Sequence, residues 1–507
     1  MVSTTIRRTL IAAAALAGLA GCAALRDAVR RYAGANWAPL PVPESSEALD
    51  RARLVLNRAA YGPAPGDLAR ALDTGIRGWI ESQLADEGSD SPAVSLRIAG
   101  LETVEGATDA PDRFASLSDA QLMDELQRAV IVRAVYSQAQ LREVMADFWT
   151  NHFNIYALKA DGRVLLPVFI ETALRPHVLG NFREMLLATA RSPAMLAYLD
   201  NQRNRRGVAN ENYARELMEL HTVGVHGGYS QSDIRVLARA LTGWTVAEGF
   251  SRGQFRFDRA LHDIEAKRAP FLDLILPPDG DQTEAESAIS RLAEHPATGR
   301  YLARKLCVRF LGHAPEKVLS AAANAYASSD CAIRPMLRPI LLDALASRGD
   351  VRPSLKRPFD FVVSALRALG ADTDGGPSIQ TRLAEMGQPL YQWPMPDGFP
   401  DRTAAWTGSL LPRWNFALDL CSGKLDGVTV RPLEAPLADG DRTPLRAPSA
   451  IVSALLGRSP DDPIARSIAA TIQEGLQSSR ADRSNLKDVV ANTAGLTLCA
   501  SAFQWRG

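Results

Sequence analysis

Apolar residues recur at three- and four-residue spacing along most of the chain, the mark of helices that bury one face. This pattern predicts helices over residues 46–58, 64–84, 119–134, 138–156, 164–190, 209–222, 231–243, 282–312, 314–328, 333–347, 355–370 and 448–457. Period-two alternation is clearest in Gln254-Phe255-Arg256-Phe257-Asp258, which predicts a short strand with a local partner. Ser230 and Asp233 have the spacing of a capping box, and Gly243 stands where the helix they open should stop. No repeat of fixed period is evident, which argues against a solenoid. The fold class expected is all-α: a multi-helix globular body with at most a short local β-hairpin.

Stretches 371–380, 387–408 and 430–448 are rich in Gly, Pro, Asp and Thr and read as loops. Residues 1–22 begin with Arg7 and Arg8, continue through an apolar stretch from Leu10 to Leu19, and end Leu19-Ala20-Gly21-Cys22. The apolar run is too short to span a bilayer and has the order of an export signal. Its ending is similar to the bacterial lipobox, which implies acylation of Cys22. Ala23 in place of Asp favours the outer membrane. The organisation expected is therefore a lipoprotein signal peptide at 1–22, a Pro-rich tether at 23–45, a helical domain at 46–429, a loop at 430–448 and a C-terminal helical segment at 449–507.

With 46% hydrophobic and 22% charged residues and a mean hydropathy of -0.09, the chain is neither a polytopic membrane protein nor disordered. Its 57 basic and 57 acidic residues balance, so no net charge steers it toward nucleic acid. After Cys22 four cysteines remain, Cys307, Cys331, Cys421 and Cys499. Export makes pairing possible, with Cys307–Cys331 the most local option, and four free thiols fit the sequence equally.

Three constellations carry candidate chemistry. In Asp147-Phe148-Trp149-Thr150-Asn151-His152-Phe153, helical spacing brings His152 out between aromatic ridges, either as a satisfied core histidine or as a ligand. In Asn210 to His221, Asn212, Glu216 and Glu219 form a polar stripe, which suits a cation, while Glu211, Arg215 and Glu219 suit a ladder of ion pairs. His221 lies about 140° around an α-helix from Glu216 and joins it only if the helix ends first. Third, His262-Asp263 follows the short strand and could ligate a metal or orient a base.

These segments, with Leu56-Asn57-Arg58-Ala59-Ala60-Tyr61-Gly62, Ala238 to Trp244, His295 to Thr298, Gly387-Gln388-Pro389 and Trp414-Asn415-Phe416, resemble in order the bacterial domain-of-unknown-function 1800 family, over residues 46 to 420 or beyond. The resemblance implies a helical exported protein with no established reaction. Members are often encoded beside an exported family that resembles sulfatases and alkaline phosphatases, which implies such a partner. Where the family often has Trp in its Pro-Asp-Gly-aromatic loop, this chain has Phe399, with Trp393 and Trp406 close by. No G-x-S-x-G elbow, H-E-x-x-H helix or P-loop is present.

The function expected is that of a lipid-anchored envelope protein, facing the periplasm or the surface, that serves as an accessory, scaffold or binding protein; the Trp393–Trp406 loop is its docking surface. The alternative is a metal-dependent hydrolase acting on an anionic ester. In it His152, Glu216, His221, His262 and Asp263 hold a divalent metal, with His152, Glu216, His262 and Asp263 as catalytic candidates.

Overall fold

Glycine and proline decide where the expected long helices break. A computed structural model describes residues 46–506 apart from 87, 107–113, 115, 160–161, 249–252, 348–350, 431–436, 438 and 479–484. The signal peptide with Cys22 and the tether at 23–45 lie outside the described residues, as does part of the loop at 430–448. The stretch 64–84 is two helices, Asp67–Asp73 and Ile76–Leu84, parted at Gly75, whose φ of 69° is in the left-handed region. Likewise 282–312 divides into Thr283–Glu294 and Pro296–Leu311, because Pro296 has no N–H to give and holds His295 extended. The span 164–190 becomes Gly162–Val168, a π turn at Phe169–Leu174, and Phe182–Arg191, which Asn181 caps through the amides of Arg183 and Glu184.

Helices dominate, and the described strands form four two-stranded antiparallel pairs. One is the expected hairpin, Trp244–Val246 with Phe255–Phe257. The capping box is formed: Ser230 Oγ accepts the Asp233 amide at 3.3 Å and Asp233 Oδ2 accepts the Ser230 amide at 2.8 Å. Helix Leu410–Cys421 falls outside the stretches the pattern selects, because Pro412 sits in its first turn and its apolar positions do not all face inward. Against it packs Leu486–Cys499, which also packs on Ala447–Leu456. Trp505–Arg506 pairs with Ser354–Leu355, tying the last described residues into the body. The described cysteines Cys307, Cys331, Cys421 and Cys499 are all free thiols.

Helix Gln140–His152, which carries the first motif, is held by two buried ion networks. At its start Glu143 accepts a bidentate pair from Arg175, at 3.0 and 3.1 Å. Near its end Asp147 pairs with Arg357, which also reaches Asp360 at 3.1 Å. Asp360 in turn takes Arg309 at 2.9 Å. Such pairs contribute little net stability, but each fixes its helix, since removing one member strands a buried charge.

Candidate functional site

Three motif segments meet where helix Gln140–His152 ends: that helix, the segment Glu211–His221, and the loop from Tyr391 to Asp401. The amides of Asn151 and Asn154 hold the loop. Asn151 Nδ2 donates to Phe399 O at 2.9 Å and its Oδ1 accepts the Phe399 amide at 2.7 Å. Asn154 Nδ2 donates to Trp393 O at 3.0 Å and Met395 O at 2.7 Å, and Tyr198 OH donates to Pro394 O at 2.9 Å. Gly398 makes the approach possible: its φ is 75°, and a Cβ there would stand 2.2 Å from Asn151 O. A cleft of about 450 Å³ lies beside the loop, with Asp147, Asn151, Asn154, Gln388 and Tyr391 among its walls. Tyr391 is itself in the left-handed region at φ 63°.

His152 is buried among Phe148, Trp149, Phe153, Phe182 and Tyr301. Its Nε2 lies 3.0 Å from His221 O, an acceptor only, so Nε2 carries the proton and Nδ1 is free to accept. Lys305 Nζ, from helix Pro296–Leu311, donates to that Nδ1 at 3.0 Å. Burial, then the charge of Lys305, holds His152 well below the usual histidine range. His152 is therefore a neutral, doubly bonded core histidine that orients Lys305.

Glu211–Glu216 is an α-helix that does not end before His221: it widens into a π turn over Leu217–His221. The turn carries His221 inward, where its ring packs on Phe153 and lies 6.0 Å from that of His152. Burial takes it down to about 3, and its Nε2 is buried without a hydrogen-bond partner. Glu216 stays half-buried at the surface. Burial pushes its carboxyl up, and the neighbouring charges of Glu219 and Asp397 act the same way against Arg215. The expected ladder is present, with Arg215 at 3.2 Å from Glu211 and 3.4 Å from Glu219.

Lys305 completes the junction. Burial lowers its ammonium, while Asp401 and Asp397 on the loop oppose the shift. Tyr198 is pushed up by burial and by Glu216 and Asp397. Sequence spacing had no means of finding Lys305, Asp397 or Tyr198, which come from distant elements. Together they give a patch with a proton-bearing tendency at Glu216, an oriented amine at Lys305, and Asp397 in electrostatic reach of both.

The third constellation is elsewhere and is closed. His262 Nδ1 lies 2.7 Å from Thr242 O and its Nε2 3.2 Å from Glu284 Oε2. Lys267 Nζ lies 2.6 Å from the same Glu284 oxygen. Asp263 turns away to a bidentate pair with Arg239, at 2.7 and 3.1 Å. So the single pocket of His152, Glu216, His221, His262 and Asp263 is not formed. Among the described residues no group of three or more His, Cys, Asp or Glu side chains is placed to hold a metal ion.

The Trp393–Trp406 loop also differs from expectation. Trp406 is buried with Leu355 and Phe399 and donates from Nε1 to Pro400 O at 2.8 Å, and Trp393 packs on Phe399 with 5.0 Å between ring centroids. The loop's aromatics serve its own small core. What it shows to solvent is Met395, 56% exposed. A second apolar surface is the outer face of Leu410–Cys421, where Leu411, Trp414 and Leu418 are exposed at i, i+3 and i+7. Leu496 of the adjoining helix Leu486–Cys499 is exposed as well. Among the described residues no helix is long and apolar enough to cross a membrane.

The sequence model of a family described as "Protein of unknown function (DUF1800)" matches residues 54–505. Comparison with curated proteins and with solved structures finds no match.

Proposed function

We propose, from the premise that the chain belongs to this DUF1800 family, that it is an exported, lipid-anchored envelope protein whose helical body binds a partner. The observation that carries the binding reading is what the motif side chains do. Asn151, Asn154 and Tyr198 direct their hydrogen bonds to the backbone of the 393–399 loop, fixing a surface rather than lining an open metal centre. That surface presents Met395, and the outer face of Leu410–Cys421 presents Leu411 and Trp414. Rigid apolar anchors on preformed backbone lose little entropy on binding. The anchor rests on Leu19-Ala20-Gly21-Cys22, and the outer membrane on Ala23. The partner that fits is the sulfatase- or phosphatase-like exported protein whose gene accompanies such family members.

The test is direct binding of the full chain to that purified partner. Met395→Asp and Leu411→Asp, each checked for an unchanged fold, are expected to weaken binding by at least about tenfold, the size of a modest hot spot. Binding unaffected by both would overturn the surface. Labelling with palmitate followed by membrane fractionation tests the anchor: Cys22→Ser should lose the label and leave the membrane.

A further inference from the structure

The motif turn Asn57–Gly62 lies apart from the junction and lines a cleft of its own, of about 330 Å³. Its walls include Arg53, Asn57, Lys356, Ser364, Leu455 and Phe503. Gly62 has a φ of 85°, and a Cβ there would stand 3.3 Å from Ser364 Cβ and 3.5 Å from Asn57 Oδ1. Glycine brings the turn close without crowding the serine.

Lys356 is 3% exposed. Its Nζ donates to Ser364 Oγ at 3.0 Å, and that hydroxyl donates onward to Phe361 O at 3.0 Å. The ammonium also lies 3.9 Å from the centre of the Phe503 ring. With its own proton committed to the backbone, Ser364 is a positioning residue for Lys356. Among the described residues no carboxylate is within salt-bridge distance of Lys356. The charged groups that face it are Asp360, from its own segment, Arg413 of Leu410–Cys421, and Arg53 of Glu47–Ala59. Asp360 is already shared by Arg309 at 2.9 Å and Arg357 at 3.1 Å. Burial, more than these charges, takes the Lys356 ammonium down to about 7. A buried cation without an anion of its own is costly, and an incoming anion removes that cost.

We propose that this cleft binds a small organic carboxylate, with Lys356 holding the carboxylate and the Leu455 and Phe503 walls taking an apolar body. Arg53 adds attraction of the same sign. A neutral ligand of that shape leaves Lys356 unmatched, and an inorganic anion leaves the apolar walls uncovered. The carboxylate favours the charged amine, so binding above neutral pH takes up a proton. This site is independent of the partner surface, and either reading can fail alone.

The experiment is calorimetric titration of the full chain with benzoate and butyrate, with butyramide and inorganic phosphate as controls. Benzoate and butyrate are expected to bind and both controls to bind at least about tenfold more weakly, the size of one lost charge-assisted hydrogen bond. Affinity for benzoate should fall about 20-fold from pH 7.5 to pH 9, following the fraction of charged amine. Buffers of different ionisation enthalpy should report proton uptake. Lys356→Met should lose binding. Should that variant fail to fold, the pH series on the unaltered chain decides. Equal binding of butyramide and butyrate, phosphate binding as tight as benzoate, or affinity constant between pH 7.5 and 9 would each overturn the proposal.

Discussion

The two histidine-bearing regions differ in how their charges are spent. Around His262 each charged group has a close partner: Glu284 takes both His262 and Lys267, and Asp263 takes Arg239. Around His152 the imidazole is satisfied, yet the groups it orients are not neutralised pairwise. Lys305 bonds to a neutral ring and feels Asp397 and Asp401 only at longer range, and Glu216 is raised by burial and by like charges. The same residue types therefore serve two ends. Closure marks a structural knot, and titratable groups perturbed without a close counter-charge mark a surface available for recognition or proton transfer.

The contrast predicts effects that decline in size from one region to the other. Glu284→Ala should be the most damaging, because it leaves Lys267 buried without its carboxylate; a stability loss of about 3–5 kcal/mol is expected in denaturant or thermal unfolding. Loss below 1 kcal/mol would show that the knot is not what holds this region. Next, acid should act through the junction. His221 is neutral when folded, with its value taken down to about 3, while the unfolded chain protonates near 6.5. The native state then binds fewer protons over that window, so stability present above it is lost as pH falls through it. The loss between pH 7 and 5 is about 2 kcal/mol for one such histidine. His221→Leu should flatten this slope, and an unchanged slope would assign the acid sensitivity elsewhere.

Asn151→Ala comes third. It removes two hydrogen bonds to Phe399 and leaves that buried backbone unpaired, for about 1–3 kcal/mol. Limited proteolysis should then cut within 391–401 first, whereas a cut elsewhere would mean the clamp does not hold the loop. Smallest in stability is Glu216→Gln, expected within about 0.5 kcal/mol of the parent at neutral pH. Its effect has a sign. A carboxyl raised in the folded state binds more protons there, so the parent loses stability as pH rises through the carboxylate range, and the glutamine variant should not. A parallel pH dependence in parent and variant would remove Glu216 from the perturbed set.

Part of this was legible in the sequence. The Ser230–Asp233 capping box, the 254–258 strand and the Arg215 ladder are local, set by residues within four positions of one another. Helix breaks at Gly75 and Pro296 were readable in principle, since both residues carry their punctuation with them. The π turn at Leu217–His221 was not, because a widened turn is selected by what the side chains pack against. Nor was helix Leu410–Cys421, whose Leu411 and Trp414 face solvent and blur the pattern that marks a buried face.

Periodicity, capping and composition determined the helical class, and motif order pointed to the family. These are properties of near neighbours along the chain, repeated often enough to survive local exceptions. Only the tertiary structure decided which histidine is closed off, that Asp263 turns to Arg239, and that Lys305 and Lys356 are buried beside His152 and Ser364. Each of those facts depends on desolvation and on charges brought together from distant segments. Neither quantity exists until the chain has packed.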